Sequence, residues 1–469
     1  MHSFDSIPVS RRSALRGLVA IAGVTALTPL LAACGGSSLQ GSASVNSTGQ
    51  ATAAVSAATS TATGTQAAAA PGKGATTIHL YTWTAAANLP TWKQALASFQ
   101  TKNPTIQVIM DYTPGQQYWD KLTIEYAGGT SPDVIYASPS NAQDVATKGM
   151  VLDLSTYINR DKFTMADINP ASQQPYQWAG KIWGICCWND TRYTIYNKTL
   201  FKAAGIPDLP QTWDGDFSLD QFLSYAQKLT DPAKQTWGYV FEDQLHAAHF
   251  SWLFDSYFWD SADYPTKAVM DSPNGQQGFQ FIQDLVYKYK VAPTISANMG
   301  GSDAMFQTGK VGMVWGGYKS AAVIDKPIKA FEWGISTIPM GKKRVSNLSP
   351  QAFLIVSKSK FGDESWALVK DFTAGEGNAI LCQASSMPAH RTIDFGKVSP
   401  LQPWENTLLQ TSLKSGLADV PHPNIKPQFT KIMSSEIDAL MANSETGGQA
   451  ARNMATQINA IFQPYVVAK

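Results

Sequence analysis

Trp188-Asn189-Asp190 sets an indole, an amide and a carboxylate in succession, and each of these groups can engage hydroxyls. A carboxylate accepts hydrogen bonds from two neighbouring hydroxyls, and such charge-assisted bonds are stronger than neutral ones. Gly316-Gly317 follows the apolar run Val311-Gly312-Met313-Val314-Trp315, so backbone there can approach a ligand closely. Ser138, Ser140 and Asn141 offer neutral donors and acceptors just past another apolar run, and Trp83 closes a third. His246 and His249 are three apart and could meet on one helix face to hold a metal. Zinc, however, takes three or four protein ligands, and no Glu or Cys stands at a recognised spacing. No metal and no cofactor are expected.

The elements that must position these groups alternate along the chain. Thr77-Ile78-His79-Leu80-Tyr81-Thr82-Trp83 reads as a strand, and Leu89, Trp92, Leu96 and Phe99 recur at helical spacing until Asn103-Pro104 stops them. Ile106–Met110 is a second strand, Tyr118, Leu122 and Tyr126 mark a second helix face, and Asp133–Ala137 is a third strand. Strands and helices in close alternation predict an α/β fold with a mainly parallel sheet covered on both faces. Ligands of such sheets bind at the carboxyl ends of strands, here the loops at 83–88 and 138–141. Neither loop is a Gly-rich phosphate cradle, which argues against a nucleotide. Further on, Ser218 with Gln221 predicts a capping box ahead of Leu219, Phe222, Leu223, Ala226 and Leu229.

The net charge of +1 over 469 residues argues against nucleic acid and against a strongly charged ligand. Fourteen Trp and seventeen Tyr are many, and several stand beside Gly, Asn and Asp, as in surfaces that stack on sugar rings. The N-terminus is of another kind. Arg11-Arg12 and Arg16 precede an apolar run from Leu18 to Leu31, too short to span a bilayer. Leu31-Ala32-Ala33-Cys34 closes it and resembles the bacterial lipoprotein cleavage site, which predicts a signal peptide over 1–33 and a lipidated Cys34. The twin arginines loosely resemble a Tat signal. Residues 35–74 are almost wholly Gly, Ser, Thr, Ala and Gln, a composition that predicts a flexible tether with a span of roughly 35 Å. Cys186, Cys187 and Cys382 remain: buried thiols, or one of the adjacent pair bonded to Cys382.

From Thr76 to Phe462 the chain resembles the family 1 extracellular solute-binding proteins of bacterial ABC importers. The resemblance rests on blocks in the family's order. They include Tyr118-Trp119-Asp120-Lys121-Leu122, Ser131-Pro132-Asp133-Val134-Ile135 and Lys148-Gly149-Met150-Val151-Leu152-Asp153-Leu154. Gly180-Lys181-Ile182-Trp183-Gly184-Ile185, Asn189-Asp190-Thr191-Arg192, Ile195-Tyr196-Asn197-Lys198 and Met270-Asp271-Ser272-Pro273 continue the series.

The resemblance implies a two-lobed periplasmic-binding-protein fold, type II-like, with the ligand cleft between lobes joined by hinge segments. Lobe 1 would take 75–187 and about 346–395, and lobe 2 about 188–345 and 396–469. It also implies a lipid-anchored monomer on the extracytoplasmic face of the membrane, which hands a mono- or oligosaccharide to permease subunits without catalysis. Asp190 matches an acid that family members carry at the hinge, against the plainer reading of a surface ion pair with Arg192. Tyr318 matches an aromatic that stacks on sugar, and Trp252 with His249 falls near another contact region. Trp83, Trp188, Ser138, Ser140, Asn141 and Gly317 complete the expected ligand-binding set. The alternatives are a polyamine, which needs several cleft carboxylates, a glycerol phosphate, which needs clustered Arg, and a carbohydrate-active enzyme, which needs two carboxylates flanking a bond. Since Asp190 alone presents itself, a neutral polyol fits best.

Overall fold

The computed structural model describes residues 75–463 apart from 85, 114–115, 262–264, 298–300, 318–327, 384–385, 400 and 419–424. The signal segment, Cys34, the tether and Tyr318 therefore lie outside the described residues. Among the described residues no helix is long and apolar enough to cross a membrane.

Strands β1 (Thr76–Thr82), β2 (Ile106–Tyr112) and β3 (Val134–Ala137) pair in parallel, with β1 in the middle. A two-residue hairpin, β4 (Gln177–Trp178) and β5 (Lys181–Ile182), precedes β6 (Ile185–Asn189). The chain then passes to a second sheet built from β7 (Tyr193–Asn197), β8 (Trp237–Val240), β9 (Val311–Gly316) and β10 (Trp333–Ser336), in the order β10-β7-β9-β8. It returns through β11 (Ser346–Leu348) to β12 (Gln351–Ile355), which lies antiparallel between β3 and β6. After β13 (Met387–Pro388), which edges the first sheet beside β6, it passes over again and adds β14 (Gly416–Ala418) to β11.

The sheets are less parallel than the strand–helix alternation predicts. In the second sheet only β8 and β9 run parallel, and β7 is antiparallel to both of its neighbours. The cause is the repeated passage between sheets, which delivers strands from the opposite direction.

Each sheet carries its own core. In the first, Trp92, Tyr136, Trp188, Phe353 and Phe372 pack together, with Tyr136 and Trp188 centroids 5.0 Å apart. In the second, Phe250 stacks on Trp315 at 3.9 Å and 4°, and Tyr239 meets both edge-on. Burying one such ring contributes roughly 1.5–3 kcal/mol, and the two clusters share none of their buried residues. Cys186, Cys187 and Cys382 are buried thiols of the first core, not joined in a disulfide. The helix Leu219–Leu229 begins with both halves of the Ser218/Gln221 capping box.

Glu445 shows how local charge writes pH dependence into this fold. Burial and the neighbouring Glu436 raise its carboxyl from 4.5 to about 7. A carboxyl raised in the folded state contributes stability below its unfolded value and loses it as pH climbs toward the folded one. Glu445→Gln should therefore gain on wild type at pH 8 and lose that gain by pH 4.5. Urea unfolding across this range checks it.

Candidate functional site

The link between β6 and β7 is only Asp190-Thr191-Arg192, and it is tied to the returning segment. Asp190 N donates to Ser349 O at 3.3 Å and Ser349 N donates to Asp190 O at 2.9 Å. Thr191 Oγ1 lies 2.7 Å from Ser346 Oγ, and Ser412 of the third segment donates to Thr191 Oγ1 at 3.0 Å. Three passages thus meet at one hydrogen-bonded point. Such a point lets two packed lobes move as bodies while few dihedrals change.

Arg192 is the centre of the polar groups here. Its Nη1 stands 3.3 Å from Asp190 Oδ2 and its Nε 3.2 Å from Glu242 Oε2. Its Nη2 lies 2.6 Å from His246 Nε2. A guanidinium only donates, so Nε2 accepts and the imidazole proton sits on Nδ1, which donates to Asp243 Oδ2 at 2.8 Å. Asp243 also caps the following turn through His246 N at 2.8 Å. Burial opposes the Arg192 charge, but Glu242, Asp190 and Asp243 outweigh it and hold its pKa above the ordinary value. Burial likewise opposes the Asp243 charge, and His246 overrides it, so this carboxyl falls to about 2.

Strand direction explains the convergence. Glu242 and Asp243 lie just past the end of β8, and Gly316-Gly317 ends the parallel β9 on the same edge. Tyr193, next to Arg192, pairs with Gly316. That edge is where α/β sheets bind ligands. Gly317 is required by the clamp itself, since a Cβ there would stand 2.2 Å from Asp190 Oδ2 and 2.4 Å from Arg192 Nη1. Beneath the clamp, Arg192, Glu242, His246, Trp315 and Ser346 line a cavity of about 10 Å³, room for one water.

The first lobe presents its groups at the matching strand ends. Trp83 follows β1, half-buried, 5.3 Å from the Tyr136 ring that also packs on Trp188. Ser138 follows β3 at the cap position of the helix Pro139–Thr147, but its hydroxyl makes no cap bond and is buried without a partner. Ser140 is buried and Asn141 half-buried in the first turn of that helix.

Two of the expected aromatics are placed differently. Trp252 is 2% exposed in the core of the second lobe, edge-on to His249 at 4.4 Å, because a 3-10 turn over His249–Phe254 turns it inward. Trp188 is 6% exposed within the first core. Neither ring offers an open stacking face. Asp190 does pair with Arg192, yet with side chains 20% and 12% exposed the pair is no surface ornament. His246 and His249 approach to 5.6 Å between ring centroids. Glu242, Asp243 and His246 bring ligand-type atoms within 4.8 Å of one another, but both nitrogens of His246 are already engaged by Arg192 and Asp243. Glu242, Asp243 and Arg192 are not in the expected site, so Asp190 is not the lone carboxylate that the sequence suggests: Glu242 and Asp243 stand beside it, and Arg192 offsets part of their charge.

These features, two sheets with separate cores, three passages and polar groups at facing strand ends, define a two-lobed binding-protein fold. Residues 82–378 match the family of bacterial extracellular solute-binding proteins, and the chain belongs to that family. Among solved structures, the fold is similar to a Listeria monocytogenes ABC substrate-binding protein in complex with cycloalternan. That likeness has a TM-score of 0.71 at 20% identity and covers 82% of this chain and 98% of that one. A Thermotoga lettingae solute-binding protein bound with alpha-D-tagatose gives a TM-score of 0.68 at 23% identity, over 82% of this chain and 99% of that one. A putative binding protein of Brucella abortus (strain 2308) is 21% identical over 308 residues, 61% of this chain and 72% of its own length.

Proposed function

We propose that this protein captures a mono- or oligosaccharide between its lobes and delivers it to the permease of an ABC importer. The observation that carries the reading is the Arg192 clamp. It holds the Asp190 and Glu242 carboxylates at the strand ends beside the hinge, where each can accept bonds from ligand hydroxyls. Trp83, Ser138, Ser140 and Asn141 form the facing half-site, with Gly317 on the second lobe; Tyr318, which the family resemblance adds, lies outside the described residues. A ligand that touches both halves only when they meet favours the closed form, and that difference drives closure. The sugars bound by the structurally similar proteins support the same solute class.

The family and the structurally similar proteins are binding proteins, which supports capture of the solute over catalysis. Calorimetry against neutral, acidic and basic sugars tests the reading. A neutral saccharide should bind at about micromolar affinity, near −8 kcal/mol. Preference over every neutral sugar for a polyamine, or for a glycerol phosphate whose binding Asp190→Ala weakens, would overturn it.

The lipid anchor at Cys34 is part of the proposal. One relative over a similar span is an uncharacterized lipoprotein of Streptomyces antibioticus, 22% identical over 301 residues. Cys34→Ala should release the protein from the membrane fraction, since a diacyl group supplies the two chains that stable attachment needs. Fractionation decides it, and a variant that stays membrane-bound counts against lipidation.

A further inference from the structure

A second cavity, of about 480 Å³, opens in the second lobe among residues other than those of the clamp. Trp213, Asp214, Tyr257, Lys342, Arg344 and Lys414 line it. Its volume falls within the range of small-molecule sites.

Arg344 is the anomaly that gives this cavity a direction. Its side chain is buried, at 8% exposure, yet it forms no ion pair among the described residues. Nη1 donates to Trp213 O, and Nη2 donates to Gly215 O at 2.9 Å and to Phe217 O at 3.2 Å. Its Nε–H is buried with no acceptor. Buried charges are ordinarily paired, and an unpaired N–H is costly. Burial pulls this guanidinium below its ordinary pKa, with Asp214 and Asp216 opposing that pull from beyond ion-pair distance.

Two ammonium groups share the wall. Lys342 Nζ is held by amide oxygens, Asn274 Oδ1 at 2.6 Å and Gln277 Oε1 at 3.3 Å, which leave its charge uncompensated. Lys414 forms no ion pair among the described residues, whereas Lys343 is neutralised by Asp255 at 2.7 Å. Set against Asp214 in the same wall and Asp216 near Arg344, the three cations Lys342, Arg344 and Lys414 still leave an excess of positive charge. An anion in the cavity would compensate the charge of both ammonium groups and of the guanidinium behind them, and a phosphate carries more charge and more acceptor oxygens for this than a carboxylate does.

We propose that this cavity is an anion site for a phosphate-bearing small solute, separate from the saccharide cleft. The test uses the full-length protein and inorganic phosphate as the probe. Thermal unfolding is followed against phosphate concentration, with sodium chloride at matched ionic strength as control. Phosphate should raise the midpoint saturably where chloride does not. Lys342→Gln with Lys414→Gln should weaken that response at least tenfold while leaving saccharide binding unchanged. Both lysines are exposed, and the only side-chain bonds that Lys342 makes among the described residues are to the amides of Asn274 and Gln277, whereas Arg344 anchors the 213–217 loop and is left in place. Equal effects of chloride and phosphate, or a double variant that responds like wild type, would overturn the proposal. Weakened saccharide binding in Asp190→Ala with the phosphate response intact is expected, since the two sites are distinct.

Discussion

Arg192→Met is expected to lower folding stability and saccharide affinity by about 2 kcal/mol each. Methionine keeps apolar bulk but removes every donor of the clamp. Asp190 and Glu242, each within 3.3 Å of the guanidinium, would then face one another without a countercharge. Stranding fully buried partners costs more than this, and the partial exposure of both carboxylates reduces the penalty. Chemical denaturation and calorimetry with the bound sugar measure both effects. An affinity equal to wild type would remove the clamp from the site.

Gly317→Ala separates binding from folding. The added Cβ would stand 2.2 Å from Asp190 Oδ2 and 2.4 Å from Arg192 Nη1, so the pair must move. Both contacts are to side-chain ends at the cleft edge, and the backbone at Gly317 is not left-handed, so the lobe should stay folded. We expect about a tenfold loss of affinity, near 1.4 kcal/mol, with a thermal midpoint within a few degrees of wild type. Unfolding scans beside calorimetry show whether the two quantities part in this way.

The first lobe is legible in the sequence because its strands are apolar runs separated by helices with a clear 3.6-residue period. The antiparallel entry of β12 is not legible, since its pairing depends on a return from the second sheet, more than 200 residues after β3. At the site, Gly317 stands out by its neighbours, and Asp190 by the family resemblance together with the indole and amide before it. Glu242 and Asp243 do not, because β8 is four residues long and carries Gly238 in its middle. That glycine breaks the strand signal for a packing reason: a Cβ would stand 2.0 Å from Ala226 O of the helix Leu219–Leu229. Had β8 been recognised, the rule that points to Trp83 and Ser138 would have pointed to Glu242 as well. Trp252 misleads in the other direction. Its polar neighbours suggest a ligand surface, while the 3-10 turn that carries it faces the core.

The most direct test of saccharide capture at the clamp is calorimetric titration of wild type and Asp190→Ala with the best-bound neutral sugar. Asp190 Oδ2 meets Arg192, and Oδ1 accepts from Thr191 N at 2.9 Å, so the carboxylate is fixed before any ligand arrives. Removing it should weaken binding by about 2 kcal/mol, some thirtyfold, with the stoichiometry unchanged. Wild-type affinity in the variant, or a wild-type protein that binds no neutral saccharide, would contradict the account.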